Sequence, residues 1–235
     1  MDPVRFSRLR LMAKSPAHYR AGYQAPTKPM LVGQAVHAGL LGGPAVAVYD
    51  GRRAGKDWEK FRDDQLAGTI ILNETEGREA ACMATSVGAN AEAMRLLDGV
   101  REKTLLFDKD GRNCRATPDV VGADFVTELK TGETSDPRKF HWKVRDFAYH
   151  AQLAWYDDAI GGKKDHFIVA VEAKPPYVVT VFRLTPGSIE QGRKLCRLWW
   201  ERLLQCEASG EWPCYCQSIV DLDVGETELV LGEDE

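Results

Sequence analysis

Residues 117–131 read TPDVVGADFVTELKT, in which Asp119, Glu128 and Lys130 stand in a largely apolar setting. Asp119 follows a proline near a turn, and a short stretch separates it from Glu128 on the next predicted strand. Side chains two apart on a strand project to the same face, so Glu128 and Lys130 should lie side by side while Leu129 points into the core. A hairpin here would bring Asp119 beside both. We therefore predict one compact cluster of Asp119, Glu128 and Lys130.

The residue types in this cluster favour metal-assisted hydrolysis of a phosphodiester. Two converging carboxylates repel each other unless a hard divalent cation such as Mg²⁺ lies between them, and the carbonyl of Leu129 offers a further oxygen ligand. Mg²⁺ lowers the pKa of a bound water and stabilises charge that develops on a phosphate. Lys130 can orient that water and neutralise the phosphorus centre. The alternative is a solvated acid–base pair on a strand surface.

The flanking sequence alternates between strand-like and helix-like segments. Strands are predicted at 103–107, 114–121, 125–130, 166–173 and 177–184, with a turn at 108–111. Helices are predicted at 6–13, 33–41, 73–97, 137–160 and 186–206. Asn73 and Glu76 fit a capping box at the start of the third helix, which is interrupted near Gly88, and the last helix has Leu195, Leu198, Trp199 and Leu203 on one face. This order predicts an α/β fold with a mixed central β-sheet flanked by helices.

Length and composition are those of an ordinary globular protein. The chain has 235 residues, of which 44% are hydrophobic and 28% charged. It has no run of about 18 apolar residues and no apolar leader near its start, so we expect a cytoplasmic protein without membrane contact. We expect one domain over 1–220, in which helices fill 1–100, a catalytic core 100–185 and a C-terminal helix 186–210. An acidic tail would follow over 221–235.

Charge is unevenly distributed along the chain. The net charge is −4, but residues 1–30 hold six basic residues against one acid, and residues 221–235 hold seven acids and no base. A negative total therefore does not exclude nucleic acid as a partner. Four N-terminal residues are candidates for contacts with DNA phosphates: Arg5, Arg8, Lys14 and Ser15. A solvated helix face is the alternative.

The arrangement Pro118-Asp119, Glu128-x-Lys130 resembles the signature of the PD-(D/E)xK nucleases. Further segments resemble the phage-type exonuclease VIII proteins, which are recombination exonucleases of that superfamily. These segments are SPAHY at 15–19, GQAVHA at 33–38, YHAQLAWY at 149–156, HFIVAVEAKPPY at 166–177 and GEWP at 210–213. The resemblance implies a restriction-endonuclease-like core. It fails at Ala116-Thr117, where a basic residue is expected, so a phosphate contact is either missing or relocated.

The resemblance also implies ligands and an activity. His37 becomes an additional metal ligand beside Asp119, Glu128 and the Leu129 carbonyl, and Lys130 becomes the catalytic residue on the side of the attacking water. Without the resemblance, His37 is more readily a packed or exposed histidine. The implied enzyme uses Mg²⁺, for which Mn²⁺ substitutes, and degrades one strand of duplex DNA from its end in the 5′-to-3′ direction. The implied partners are double-stranded DNA ends, a single-strand annealing protein of phage or prophage recombination that uses the 3′ overhangs, and further copies of the chain in a ring.

Tyr149, Gln152 and Tyr156 recur at helical spacing and form one stripe. A buried amide needs hydrogen-bond partners, which favours a place for Gln152 at the active site. There it would act as a further catalytic residue and, together with Tyr149, contact the backbone of the scissile strand. Tyr156 is assigned a structural role, and core packing explains the tyrosines equally well.

Two other functions stay open. An endonuclease or repair nuclease could use the same residues, because exonuclease and endonuclease action differ in channel shape and oligomer geometry. A DNA-binding scaffold that keeps the fold without catalysis is the second alternative. The intact Asp119, Glu128 and Lys130 argue against this scaffold.

Overall fold

The computed structural model describes residues 2–22, 26–162, 164–216 and 218–222. The strands are β1 (Val4–Arg5), β2 (Val46–Val48), β3 (Ile70–Leu72), β4 (Val100–Arg101), β5 (Leu105–Lys109), β6 (Arg112–Ala116), β7 (Val120–Val121), β8 (Phe125–Gly132), β9 (Asp165–Glu172) and β10 (Val179–Leu184). The helices are α1 (Phe6–Leu9), α2 (Pro16–Ala21), α3 (Lys28–Leu41), α4 (Lys56–Asp63), α5 (Glu74–Gly88), α6 (Ala91–Leu96), α7 (Pro137–Asp146), α8 (Tyr149–Ile160) and α9 (Pro186–Ser209). Most of the predicted acidic tail, from 223 onward, lies outside the described residues.

A mixed sheet forms the centre of the fold, in the order β10-β9-β8-β7-β4. β8 and β9 run parallel, whereas the other neighbours are antiparallel. Val126 of β8 packs with α8 and α9 on one face of the sheet, and Leu129 packs with α3 and α5 on the other. The predicted α/β architecture, with a mixed sheet between helices, is confirmed.

A smaller sheet lies beside the central one, in the order β1-β6-β5. The strand predicted over 114–121 is wrong as a single element, because β6 belongs to this smaller sheet and β7 to the central one. Pro118 lies between them and has no N–H to donate to a ladder, which ends the first strand. Because of this break, the chain turns and brings Asp119 to β8.

The helix predicted over 137–160 is also two helices. Ala148 adopts a left-handed backbone conformation with φ of 54°, which separates α7 from α8. The other predicted helices are found, with changed ends: the segment 6–13 is α1 followed by a 3₁₀ turn, and α3 begins at Lys28, ahead of the predicted start. The interruption near Gly88 is confirmed between α5 and α6, as is the capping box of Asn73 and Glu76.

The segment between α3 and α5 had no predicted structure. It holds β2 and β3, which pair in parallel, and the amphipathic helix α4. In α9, the face predicted to pack inward includes Trp199 and Leu203, which are buried, but Leu198 is 58% exposed, so its assignment to that face is wrong. Among the described residues, none of the helices combines the length and apolar character needed to cross a membrane.

Candidate active site

β8 carries two of the predicted catalytic residues on one face. Glu128 and Lys130 alternate with Leu129, which is fully buried on the opposite face. The Glu128 side chain is 2% exposed and the Lys130 side chain 17%, and Lys130 Nζ donates to Glu128 Oε2. The strand period of two thus places a charged pair within an otherwise apolar strand.

Asp119 reaches β8 from the turn that separates β6 from β7. Its carboxylate accepts a hydrogen bond from Leu129 N at 2.7 Å, and its own N–H donates to Glu128 Oε1 at 3.4 Å. Val120, the next residue, is paired opposite Thr127 of β8, which fixes the register. The structure therefore brings Asp119, Glu128 and Lys130 together, as the sequence predicts.

α8 adds Gln152 to this cluster. Lys130 Nζ donates to Gln152 Oε1 at 3.1 Å, while Gln152 Nε2 donates to Glu128 Oε2 at 2.9 Å and to Tyr156 Oη at 2.6 Å. Tyr156 in turn donates to the Thr117 carbonyl at 3.3 Å. The amide thus has a partner at each end, and Tyr156 ties α8 to the turn that carries Asp119.

α3 and the end of β4 bring two further groups to Asp119. His37 Nδ1 lies 3.6 Å from Asp119 Oδ2. One ligand atom from each of His37, Glu102 and Asp119 lies within 4.8 Å of the other two. Gly33, one turn before His37, permits this approach, because a Cβ at that position would lie 2.8 Å from Thr131 Oγ1 of β8.

Glu102 is a candidate site residue that the sequence did not predict. It follows β4, and its N–H donates to the Asp119 carbonyl at 3.0 Å. It also adopts a left-handed conformation, with φ of 45°. Its one sequence signal is an acid beside the strand predicted at 103–107. That signal is weak, because the pairing of β4 with β7 that carries Glu102 to Asp119 is not local in sequence.

Burial and crowding of like charges shift the pKa values in this cluster. Burial, and then the negative charge of Glu128, raise the pKa of Asp119 well above its ordinary value. The same two causes raise the pKa of Glu102. Burial, followed by the positive charge of Lys130, lowers the pKa of His37 to about 4. Burial lowers the pKa of Lys130, but Glu128 and Asp119 outweigh burial, so the net effect is a raised pKa.

These shifts fit a site for a hard divalent cation. Burial and then the nearby charge of Glu128 raise the pKa values of both Asp119 and Glu102, although Glu102 is an exposed residue, so carboxylates crowd together here without enough positive charge between them. Carboxylate oxygens are the ligands that Mg²⁺ and Mn²⁺ prefer, and an uncharged imidazole can bind beside them. The oxygens of Glu128 accept hydrogen bonds from Lys130, Gln152 and the Asp119 N–H instead. Glu128 and the Leu129 carbonyl therefore stay predictions as ligands.

His37, Glu102, Lys130 and Gln152 line a cleft of about 880 Å³. Its lining includes the predicted DNA-contacting residues Tyr149 and Arg5, and also Arg115. The ring of Tyr149 lies 4.9 Å from Lys130 Nζ and stacks on Phe147 with centroids 5.6 Å apart. One wall of the cleft is therefore aromatic, and cationic groups stand around it.

The remaining N-terminal candidates lie away from the cleft lining. The guanidinium of Arg8 stands over the Tyr19 ring at 5.0 Å, and Lys14 is exposed outside the cleft. Ser15 is 1% exposed, caps α2 and is hydrogen bonded to His18 Nδ1 at 2.7 Å. A buried hydroxyl that already caps a helix is poorly placed to meet a phosphate, so the structure speaks against Ser15 as a DNA contact.

A family model described as a PDDEXK-like domain of unknown function, DUF3799, matches residues 5–222. The chain belongs to this PDDEXK-like family. The matched range includes His37, Glu102, Asp119, Glu128 and Lys130, and the match confirms the predicted PD-(D/E)xK resemblance. A search of curated proteins gave no match to the PDDEXK-like chain.

A solved structure shares the fold of the PDDEXK-like chain. The crystal structure of a presumed exonuclease from Eubacterium rectale has a TM-score of 0.67 at 13% identity, over 98% of this chain and 94% of that one. At this identity the likeness concerns the fold alone. The alkaline exonuclease LHK-Exo from Laribacter hongkongensis is more distant, with a TM-score of 0.31 and 16% identity over 75% of this chain and 92% of its own. Its complex with dAMP has a TM-score of 0.34.

Proposed function

We propose that this PDDEXK-like chain is a divalent-metal-dependent nuclease that degrades duplex DNA from its ends. One observation carries the proposal: a ligand atom from each of His37, Glu102 and Asp119 lies within 4.8 Å of the other two, and His37 and Glu102 line a cleft together with Lys130. Carboxylates and a histidine that converge beside a largely buried lysine are the combination that metal-assisted phosphodiester hydrolysis needs. A surface acid–base pair would leave Glu128 and Lys130 in water, and both are largely buried.

Each residue has a role that follows from its contacts. His37, Glu102 and Asp119 would hold the cation, which when bound lowers the pKa of a water and stabilises charge on the phosphate. Because its pKa is raised, Lys130 is protonated at neutral pH and donates hydrogen bonds. It is therefore suited to orient the attacking water and to neutralise the phosphate, and not to accept a proton.

Gln152 and Glu128 position this lysine. Gln152 Oε1 and Glu128 Oε2 both accept hydrogen bonds from Lys130 Nζ, which leaves one of its three N–H groups for water or phosphate. Tyr149 lies with its ring against the same ammonium group and borders the cleft. We propose that Tyr149 contacts the backbone of the scissile strand beside Gln152.

The more specific part of the proposal concerns the direction of strand degradation, the identity of the metal and the assembly of several copies of the chain. Resemblance to the phage-type exonuclease VIII proteins supports 5′-to-3′ degradation with Mg²⁺ or Mn²⁺ that leaves 3′ overhangs. The same resemblance supports a ring of several copies around DNA and a single-strand annealing partner in phage or prophage recombination within a bacterial cytoplasm. The crystal structure from Eubacterium rectale supports the exonuclease reading through its fold.

Digestion of linear and covalently closed circular DNA tests the proposal. We expect a duplex labelled at either the 5′ or the 3′ end to be degraded with Mg²⁺ and to be stable with EDTA, while the closed circle stays intact. Loss of the 5′ label as mononucleotides would support the proposed polarity. Cutting of the closed circle would instead establish an endonuclease, and absence of any degradation with Mg²⁺ or Mn²⁺ would favour a DNA-binding scaffold.

A further inference from the structure

Two arginines stand next to each other on the smaller sheet. β1 pairs in parallel with β6, and this register sets Arg5 opposite Arg115, one step after Val4 opposite Cys114. Val4 and Cys114 are buried on one face of the sheet. Since successive side chains alternate between faces, Arg5 and Arg115 share the other face, and both line the cleft.

No acid balances this pair within the part of the chain that the structure describes. Neither guanidinium has a carboxylate within ion-pair distance among those residues. Arg115 instead donates to the hydroxyl of Thr104 at 3.1 Å, and its partner on β5 is Leu106, which is apolar and 71% exposed. Neighbouring strands lie about 4.8 Å apart, so two like charges in register repel each other.

We propose that Arg5 and Arg115 form a clamp that holds one backbone phosphate of the DNA strand. The proposal rests on the proposed nuclease function and adds a phosphate site to the same cleft. A phosphate between the two guanidinium groups would offset their repulsion and accept hydrogen bonds from both forks. Because a phosphate carries no base identity, the clamp holds DNA irrespective of sequence.

Binding of a labelled duplex in EDTA tests the clamp without any cleavage. The variants are Arg5→Gln, Arg115→Gln and the double variant, with Arg202→Gln on the exposed side of α9 as the matched control. We expect each single variant to weaken binding roughly tenfold, as for a lost charged hydrogen bond. A shared phosphate makes the double variant weaker by less than the product of the two single effects.

The salt dependence of binding counts the phosphates. The slope of log K against log salt should fall by about 0.9 in the double variant, as for one lost phosphate contact, and should not change in Arg202→Gln. A fall of about 1.8 in this slope, together with a loss of affinity in the double variant that equals the product of the two single losses, would show that the arginines bind two separate phosphates and would overturn the shared site. If the wild type binds and degrades DNA and Arg115→Gln binds DNA equally well, the clamp is overturned while the proposed function stands. A wild-type chain that neither binds nor degrades DNA would overturn the proposed function as well.

Discussion

Replacement of Glu102 by glutamine tests whether this unpredicted acid is a metal ligand. The substitution keeps the size of the side chain and removes one of the charges that converge with His37 and Asp119. Loss of a group that supports a metal site lowers affinity by about 10- to 100-fold. We therefore expect Glu102→Gln to bind Mg²⁺ more weakly by this factor.

Thermal unfolding with and without Mg²⁺ measures this loss independently of activity. At about 100 times its Kd, a ligand stabilises the folded state by about 2.7 kcal/mol. For a chain of this size each kcal/mol corresponds to roughly 2–4 °C in Tm, so we expect the wild type to gain about 5–10 °C. At the same Mg²⁺ concentration the variant would be at only about 1–10 times its Kd, and its stabilisation would fall to about 0.4–1.4 kcal/mol.

The metal-free protein supplies a second comparison. Because burial and the charge of Glu128 raise the pKa of Glu102, its ionised form is disfavoured in the folded state. Without metal, Glu102→Gln should therefore be at least as stable as the wild type at neutral pH. Glu211→Gln, which alters an exposed acid, is the matched control and should leave both Tm values unchanged. A Glu102→Gln protein with the full wild-type response to Mg²⁺ would refute the assignment of Glu102 as a ligand.

Three further predictions concern catalysis, packing and pH. Gln152→Ala should lower the single-turnover rate with Mg²⁺ by roughly tenfold or more without changing the Mg²⁺-dependent gain in Tm, because Gln152 is hydrogen bonded to Lys130 and to none of His37, Glu102 and Asp119. An unchanged rate would count against its positioning role. Gly192→Ala should destabilise the protein by about 1–3 kcal/mol in urea unfolding, because the added Cβ would clash with the His150 carbonyl, whereas Gly187→Ala in the same helix meets no such clash. Equal stability of the two variants would contradict this packing. Because the pKa of His37 is lowered to about 4, the unfolded chain takes up a proton as pH falls below 6.5 while the folded protein does not, so stability should decline from pH 6.5 toward pH 4. His37→Gln should flatten that part of the profile of Tm against pH, and a variant profile as steep as that of the wild type would argue against an uncharged His37 in the folded protein.

The sequence predicts the parts of the fold that are governed by local periodicity. The alternation of Glu128, Leu129 and Lys130 correctly predicts which face of β8 each side chain occupies. A buried amide needs hydrogen-bond partners, and the structure places Gln152 beside Lys130, as this need predicts. Asn73 and Glu76 likewise mark the start of α5, because a capping box involves only one helical turn.

Features that depend on long-range pairing or on single backbone torsions were not predicted. The break between β6 and β7 depends on which sheet each strand joins, and the break at Ala148 on one left-handed residue in a helical sequence. Glu102 reaches Asp119 only because β4 pairs with β7. Ser15 shows a structural role that its polar character and basic surroundings do not reveal, because it caps α2, and its contact with DNA stays a prediction.

The rate at which linear duplex DNA is hydrolysed by Lys130→Ala, compared with the wild type, tests the central claim most directly. Lys194→Ala, which removes an exposed lysine on α9, is the control. Loss of a group that stabilises charge in the transition state costs about 10²–10³-fold in rate. We therefore expect Lys130→Ala to fall by that factor under single-turnover conditions with saturating Mg²⁺, while Lys194→Ala and the wild type are equally fast and EDTA stops both. Hydrolysis by Lys130→Ala at the wild-type rate would contradict the assignment of this cleft as the active site of a nuclease.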